Sequence, residues 1–210
     1  MKQDRGADQI ERFCKTTRWF HWTFALSFLG LAASGALLFL REELGLGKES
    51  AATLVEIHEI IALVFLTAPW LVAASGDTRR WLADIAGIVQ FGRHDLDWLA
   101  AQLRFWERAG LPAQDKLNAG QKLNAIAMVA ISSLMVGTGL HLWREPGAFL
   151  ALALHLAGFA AWIPAIGVHL YMAVIHPPTR PALRGMLSGR VDRAWAREHH
   201  ARWVDRAEQR

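Results

Sequence analysis

A single cysteine, Cys14, in 210 residues excludes an intrachain disulfide and any cysteine-rich iron–sulfur or zinc site. Any metal held by this chain must use other ligands. Charge is missing in long runs as well: Trp19 to Leu40, Ile60 to Gly76, Leu123 to Trp143 and Pro146 to Thr179 contain no Asp, Glu, Lys or Arg. Each run approaches or exceeds the roughly 20 residues that a helix rising ~1.5 Å per residue needs to cross a ~30 Å hydrocarbon core. A soluble globular domain is excluded, although the mean hydropathy is only +0.17 because the charges sit in blocks. Tyrosine is also scarce, one against ten tryptophans, and Trp19, Trp22, Trp70 and Trp143 fall near span ends, where an interfacial aromatic belt would place them. No internal repeat or low-complexity segment stands out. No basic stripe is interleaved with stacking aromatics, so the sequence pI of about 9.7 does not indicate nucleic-acid binding.

The positive charge reports topology instead. Of 23 Lys and Arg, 5 lie in residues 1–18, 6 in 76–120 and 8 in 177–210, whereas 41–50 and 144–147 together hold 3. Basic loops stay in the cytoplasm, which predicts a multi-pass membrane protein with both termini inside. The first apolar run is too long for a signal core and lacks a clear cleavage site, so it is expected to be a retained span. The fold class is all-α: an integral membrane four-helix bundle with an amphipathic cytoplasmic connection and a basic C-terminal tail. Helices are expected at about 17–40, 52–75, 120–143 and 147–176, giving a membrane domain over 1–176 and a cytoplasmic tail over 177–210. Between the second and third, Trp81, Ile85, Ile88 and Val89 form an apolar face among charges from Arg79 to Trp106, as in helices lying on the inner surface.

Ionisable side chains inside a bilayer are costly and mark function. Five histidines fall in the spans: His21, His58, His141, His155 and His169. His155 and His169 are 14 residues apart on one helix, so they share a face to within ~40° at depths ~21 Å apart. With alternating helix directions, His58 lies at the depth of His155 and His21 at that of His169. Two imidazole pairs stacked this way are what two bis-histidine b-type haems need, with His21, His58, His155 and His169 as the iron ligands. A binuclear metal site would need ligands within a few ångströms of one another and carboxylates inside the membrane. Gly30, Ser34, Gly35, Gly137, Gly139, Gly158 and Gly167 leave room either for flat macrocycles or for close helix packing. Arg18, three residues before His21 and on its face, can pair with a haem propionate or serve as a positive-inside charge. His141 reads as structural or interfacial, His94, His176, His199 and His200 as solvated polar surface, and Cys14 as inert.

His21-Trp22 opening the first span, Asn118-Ala-Gly-Gln-Lys122 opening the third, His155 and His169 on the fourth, and the tail with Ala182-Leu-Arg-Gly-Met186, Val191-Asp-Arg-Ala-Trp-Ala-Arg-Glu-His-His200 and Trp203 carry a resemblance. From Arg12 to Trp203 the chain resembles the cytochrome b556 gamma subunit of membrane-bound respiratory formate dehydrogenase, within the wider bacterial di-haem cytochrome b families. The resemblance implies the same ligand pairs, His58 with His155 for the outer haem and His21 with His169 for the inner. It also implies a site for exchangeable menaquinone or ubiquinone near His169, Asn118, Gly120 and Gln121. Asn118 stands equally where a helix N-cap would. His141 and the charges Glu56 and Glu59 beside His58 depart from the family pattern. The implied partners are an iron–sulfur beta subunit and a molybdenum or tungsten alpha subunit that oxidises formate, which this chain alone would not do. The same di-haem wire could serve a hydrogenase or thiosulfate reductase, or stand alone as a quinone oxidoreductase. A haem-free anchor and assembly protein is the reading from a different class.

Overall fold

A computed structural model describes residues 8–103 and 111–209. The described chain forms two compact units, one over Phe13–Ala83 and the other from the preceding strand together with the residues from Asp84 onward.

The first unit is a helical hairpin. α1 (Lys15–Phe39) and α2 (Lys48–Ser75) are uncharged over most of their length and pack on each other. The chain reverses through Leu40–Gly47, where Gly45 takes the left-handed conformation at φ 64° that a side chain would strain. At the opposite end Gly76 lies so close to Thr16 that a Cβ would stand 2.3 Å from its Oγ1. That oxygen accepts the Asp77 N–H at 2.7 Å and fastens the foot of α1 to the exit of α2. Phe24, Phe28 and Phe65 interlock between the helices, and Phe20, Trp70 and Trp81 form a second aromatic group at the foot. Trp81 belongs to α3 (Thr78–Val89), which buries it and leaves Leu82 and Val89 outward.

In the second unit, α4 (Arg93–Leu103) leads to α5 (Ala119–Arg144) and α6 (Phe149–Leu170), which form another hairpin. A π-helical turn over Tyr171–Ile175 extends α6 to a 27-residue apolar span. Among the described residues, α1, α2, α5 and extended α6 are the four helices long and apolar enough to cross a membrane, and the chain is a multi-pass membrane protein. Most of their outward side chains are apolar, Leu26, Leu71 and Leu150 among them, as contact with lipid rather than water requires. α3 and α4 occupy the stretch expected to be amphipathic; the end of that stretch, 104–106, lies outside the described residues.

The segment after Pro178 is itself folded. A short 3-10 turn and α7 (Leu183–Leu187) lead into β2 (Arg190–Asp192), which pairs antiparallel with β1 (Gln9–Glu11) with Ile10 opposite Val191. α8 (Arg193–His199) is capped by Asp192 accepting from the Trp195 N–H at 2.9 Å, and α9 (Ala201–Glu208) follows. Val191, Ala196, Trp203 and Val204 form its small core, with Ile10 and Trp195 packed against it.

Candidate functional site

His58, on α2, is gripped by α1. Its Nδ1 lies 2.8 Å from Ser34 Oγ, and a Cβ at Gly35 would stand 3.5 Å from its Cε1, so the ring packs against the glycine. Ser34 donates its own proton along the helix to Gly30 O at 2.9 Å, a bond serine commonly makes in helices. The hydroxyl oxygen can therefore accept from Nδ1–H without stranding its proton. That arrangement would put the proton on Nδ1 and the lone pair on Nε2, since a neutral imidazole carries one N–H and one acceptor nitrogen.

The second hairpin repeats the device. Thr138 Oγ1, on α5, donates to Leu134 O at 2.8 Å and lies 3.0 Å from His155 Nδ1 on α6. A Cβ at Gly139 would stand 3.4 Å from His155 Cε1. His169, near the C-terminal end of α6, has its Nδ1 3.3 Å from the Asn124 side-chain amide. The nitrogen and oxygen of such an amide are interchangeable by a flip, and with the oxygen turned inward it too would accept from Nδ1–H. His21 lies in the second turn of α1 against Trp22, ring centroids 5.3 Å apart, one turn above half-buried Arg18.

The small residues separate by role. Gly30 and Gly158 serve packing within their hairpins, a Cβ meeting Ile61 at 3.3 Å and Met135 at 2.9 Å. Gly35 and Gly139 seat imidazoles. Gly137 and Gly167 face open space, with nothing within 4 Å of a Cβ. The held imidazoles of His58 and His155 and the open glycines Gly137 and Gly167 fit residues that would hold a haem.

Asn118-Ala-Gly-Gln-Lys122 builds a different kind of site at the start of α5. Asn118 Oδ1 accepts the Gln121 N–H at 2.9 Å and Gln121 Oε1 accepts the Asn118 N–H at 3.1 Å, a complete capping box. The box uses the two side-chain carbonyl oxygens; the amide NH2 groups take no part in it. Ala119 is fully buried, and a Cβ at Gly120 would stand 3.3 Å from the Trp98 ring. Lys122, 2% exposed, donates to both oxygens of fully buried Asp95, at 2.9 and 2.8 Å, and to Gln90 O at 2.8 Å. Gln114, also buried, ties Ala119 N to the His94 carbonyl.

Two histidines expected on solvated surface are buried or pinned here. His94 Nε2 lies 3.3 Å from Asp95 Oδ2 and 3.1 Å from Asp115 Oδ2. His200, 1% exposed, donates from Nδ1 to Asp115 O at 2.6 Å and accepts at Nε2 from Arg12 at 3.2 Å. The physical reason lies in distant sequence: Arg12, itself 2% exposed, also donates to Lys116 O at 2.7 Å and Gln121 Oε1 at 3.3 Å, and lies over the Trp195 ring. Arg206 adds an ion pair to Asp115. His199 stacks on Trp195, and His176 Nδ1 lies 3.0 Å from Thr179 Oγ1. His141 is exposed, 3.9 Å from Glu145, and Cys14 is buried at the foot of α1, 3.3 Å from Thr17 Oγ1.

Burial lowers the Arg12 pKa to about 9; burial first and the Arg12 charge second push His200 down to about 3. A base whose folded pKa is depressed refuses a proton that the unfolded chain accepts below its ordinary 6.5. The His200 contribution to stability is therefore whole above that pH and is lost progressively as pH falls toward 3. By pH 5 the loss should reach about 2 kcal/mol. Chemical denaturation at pH 7 and pH 5 measures it, and His200→Gln should show a smaller difference between the two.

Sequence reasoning named Ser34 only as a small residue and missed Thr138 and Asn124. The available signal was a hydroxyl followed by glycine in the same place on two spans, Ser34-Gly35 and Thr138-Gly139, each 19 residues after the first residue of its helix.

The sequence model of prokaryotic cytochrome b561 matches residues 12–189. The chain is 26% identical over 220 residues to the cytochrome b556(Fdn) subunit of nitrate-inducible formate dehydrogenase from Escherichia coli K12, covering 95% of this chain and 90% of the relative. It is 24% identical over 222 residues to the formate dehydrogenase cytochrome b556(fdo) subunit of the same strain, covering 93% and 92%. Over 97 residues it is 34% identical to the formate dehydrogenase cytochrome b556 subunit of Haemophilus influenzae, covering 42% and 39%.

Proposed function

We propose a function from one premise: the chain belongs to the prokaryotic cytochrome b561 family. Membership implies b-type haem, and we infer two per chain, His58 with His155 ligating the outer one and His21 with His169 the inner. When bound, such a haem supplies a one-electron ferric/ferrous couple. The observation that carries this reading is the holding of His58 and His155 at Nδ1 by buried hydroxyls, because a ligating histidine needs its second nitrogen fixed by an acceptor. Arg18 is proposed to pair with a propionate of the inner haem. In a redox titration, Arg18→Gln would shift the inner haem alone; an unshifted haem would leave Arg18 as a topology charge.

The relatives' names support a cytochrome subunit of formate dehydrogenase, acting in the inner membrane with both termini cytoplasmic. In that role the chain would take electrons from an iron–sulfur subunit, itself supplied by a molybdenum or tungsten subunit that oxidises formate, and pass them to quinone near the cytoplasmic face. Reduction of a quinone to quinol takes two electrons and two protons, and the inner surface supplies the protons. The chain's own part is to hold the head group, through the Asn118 and Gln121 NH2 donors beside Gly120, with His169 nearby. The capping box serves that role by fixing both side chains before quinone arrives. A hydrogenase or thiosulfate reductase could use the same arrangement, and co-purification of the native complex distinguishes them.

Gln121→Leu and Asn118→Ala should leave both haems bound and reducible, while stopped-flow reoxidation by quinone slows by about fivefold or more, given ~1 kcal/mol or above for a lost hydrogen bond where charge develops. Unchanged reoxidation with stability lower by ~1 kcal/mol would make these residues caps alone.

A further inference from the structure

We propose that Ser34 and Thr138 are positioning residues for the imidazoles of His58 and His155, each holding down the reduction potential of the haem that its histidine would ligate. The inference rests on the reading that His58 and His155 ligate haem, and goes beyond it by assigning a tuning element and predicting that its two halves act together.

Both halves pair a hydroxyl with a glycine, and His155 has in addition a hydrogen bond to the Met135 backbone. In each hairpin the first helix supplies a hydroxyl and the adjoining glycine, and the second supplies the histidine: Ser34 with Gly35 against His58, Thr138 with Gly139 against His155. Ser34 is 5% and Thr138 9% exposed, so water does not compete for the imidazole N–H. Each hydroxyl proton has a backbone carbonyl one turn back, Gly30 O or Leu134 O, and each oxygen is left to accept. His169 has an amide neighbour instead. The hydroxyl device thus occurs on the two histidines proposed above as ligands of the outer haem.

Its effect follows from elementary ligand electronics. An acceptor on Nδ1–H draws that proton away and makes the imidazole a stronger donor at Nε2, which favours the ferric ion and lowers the potential. Removing the acceptor raises it. The glycine keeps the ring against the helix, so the bond and the ring plane are set together.

The test is a potentiometric titration of the purified complex, followed in the haem visible bands, with low-spin ferric EPR on the same samples. Ser34→Ala and isosteric Thr138→Val should each raise the midpoint potential of the same haem, leave the other unmoved and shift the corresponding EPR signal. The double variant should raise it further, and Ser34→Thr and Thr138→Ser should restore values near the parent. Loss of that haem in Ser34→Ala, recovered in Ser34→Thr, supports the same assignment. If both haems stay bound and neither potential moves, the tuning role is overturned while ligation stands. If the two variants move different haems, the pairing of His58 with His155 is overturned.

Discussion

His58→Ala should lower the haem content from two to one per chain and reduce quinone reduction driven by the partner subunits to background. His58 stands on α2 with its ring held by Ser34 and Gly35, and alanine supplies no replacement ligand. The neighbouring carboxylates are poor substitutes: Glu56 is exposed and Glu59 lies on a different helical face. On the proposed pairing, His155→Ala should produce the same spectral species, and the His58→Ala/His155→Ala double variant should lose no more haem than either single. His21→Ala should retain the haem those variants lose. Haem-to-protein ratios with low-temperature difference spectra read all four. A double variant with no haem, made from singles with one each, would show that His58 and His155 serve different sites.

Lys122→Met should cost about 3–5 kcal/mol of stability, because it strands the fully buried Asp95 carboxylate that Lys122 engages at 2.8 and 2.9 Å. The methionine fits the aliphatic path of the lysine, so packing changes little and the loss reports the unpaired charge. Adding Asp95→Asn to Lys122→Met should recover part of it: the amide stays polar enough for the Gly92 N–H, which Asp95 Oδ2 accepts at 2.9 Å. A loss below 1 kcal/mol in the single variant, by denaturant titration in detergent, would mean that the carboxylate hydrates or takes a proton at little cost. The position of this pair explains why the Asn118–Lys122 motif is more than a helix start. Cap, glycine contact and ion pair fix the end of α5 against α4, and Arg12 and His200 fix it against the strand pair and the tail.

Those contacts also mark the limit of what the chain discloses before folding. The four spans are legible because a run of about 20 uncharged residues has few other fates, and helix ends move by only a few residues when caps are added. α2 begins at Lys48 rather than near 52, since Gly47 already takes the extended N-cap conformation and Glu49 suits a first turn. Asn118 is legible as a cap because the capping box is local. The burial of His200 is not: its partners Arg12 and Asp115 come from segments 188 and 85 residues away, and its immediate neighbours are charged. The three-residue β1–β2 pair is too short to show alternation. Ser34 and Thr138 are visible as small polar residues, but the histidines they hold lie 24 and 17 residues on, across a turn no periodicity predicts.

The central claim is two haems on four histidines, and a pyridine haemochrome assay on the purified native complex, scaled to this chain by quantitative amino-acid analysis, tests it most directly. The account predicts two b haems per chain; one haem per chain, or none, would contradict it.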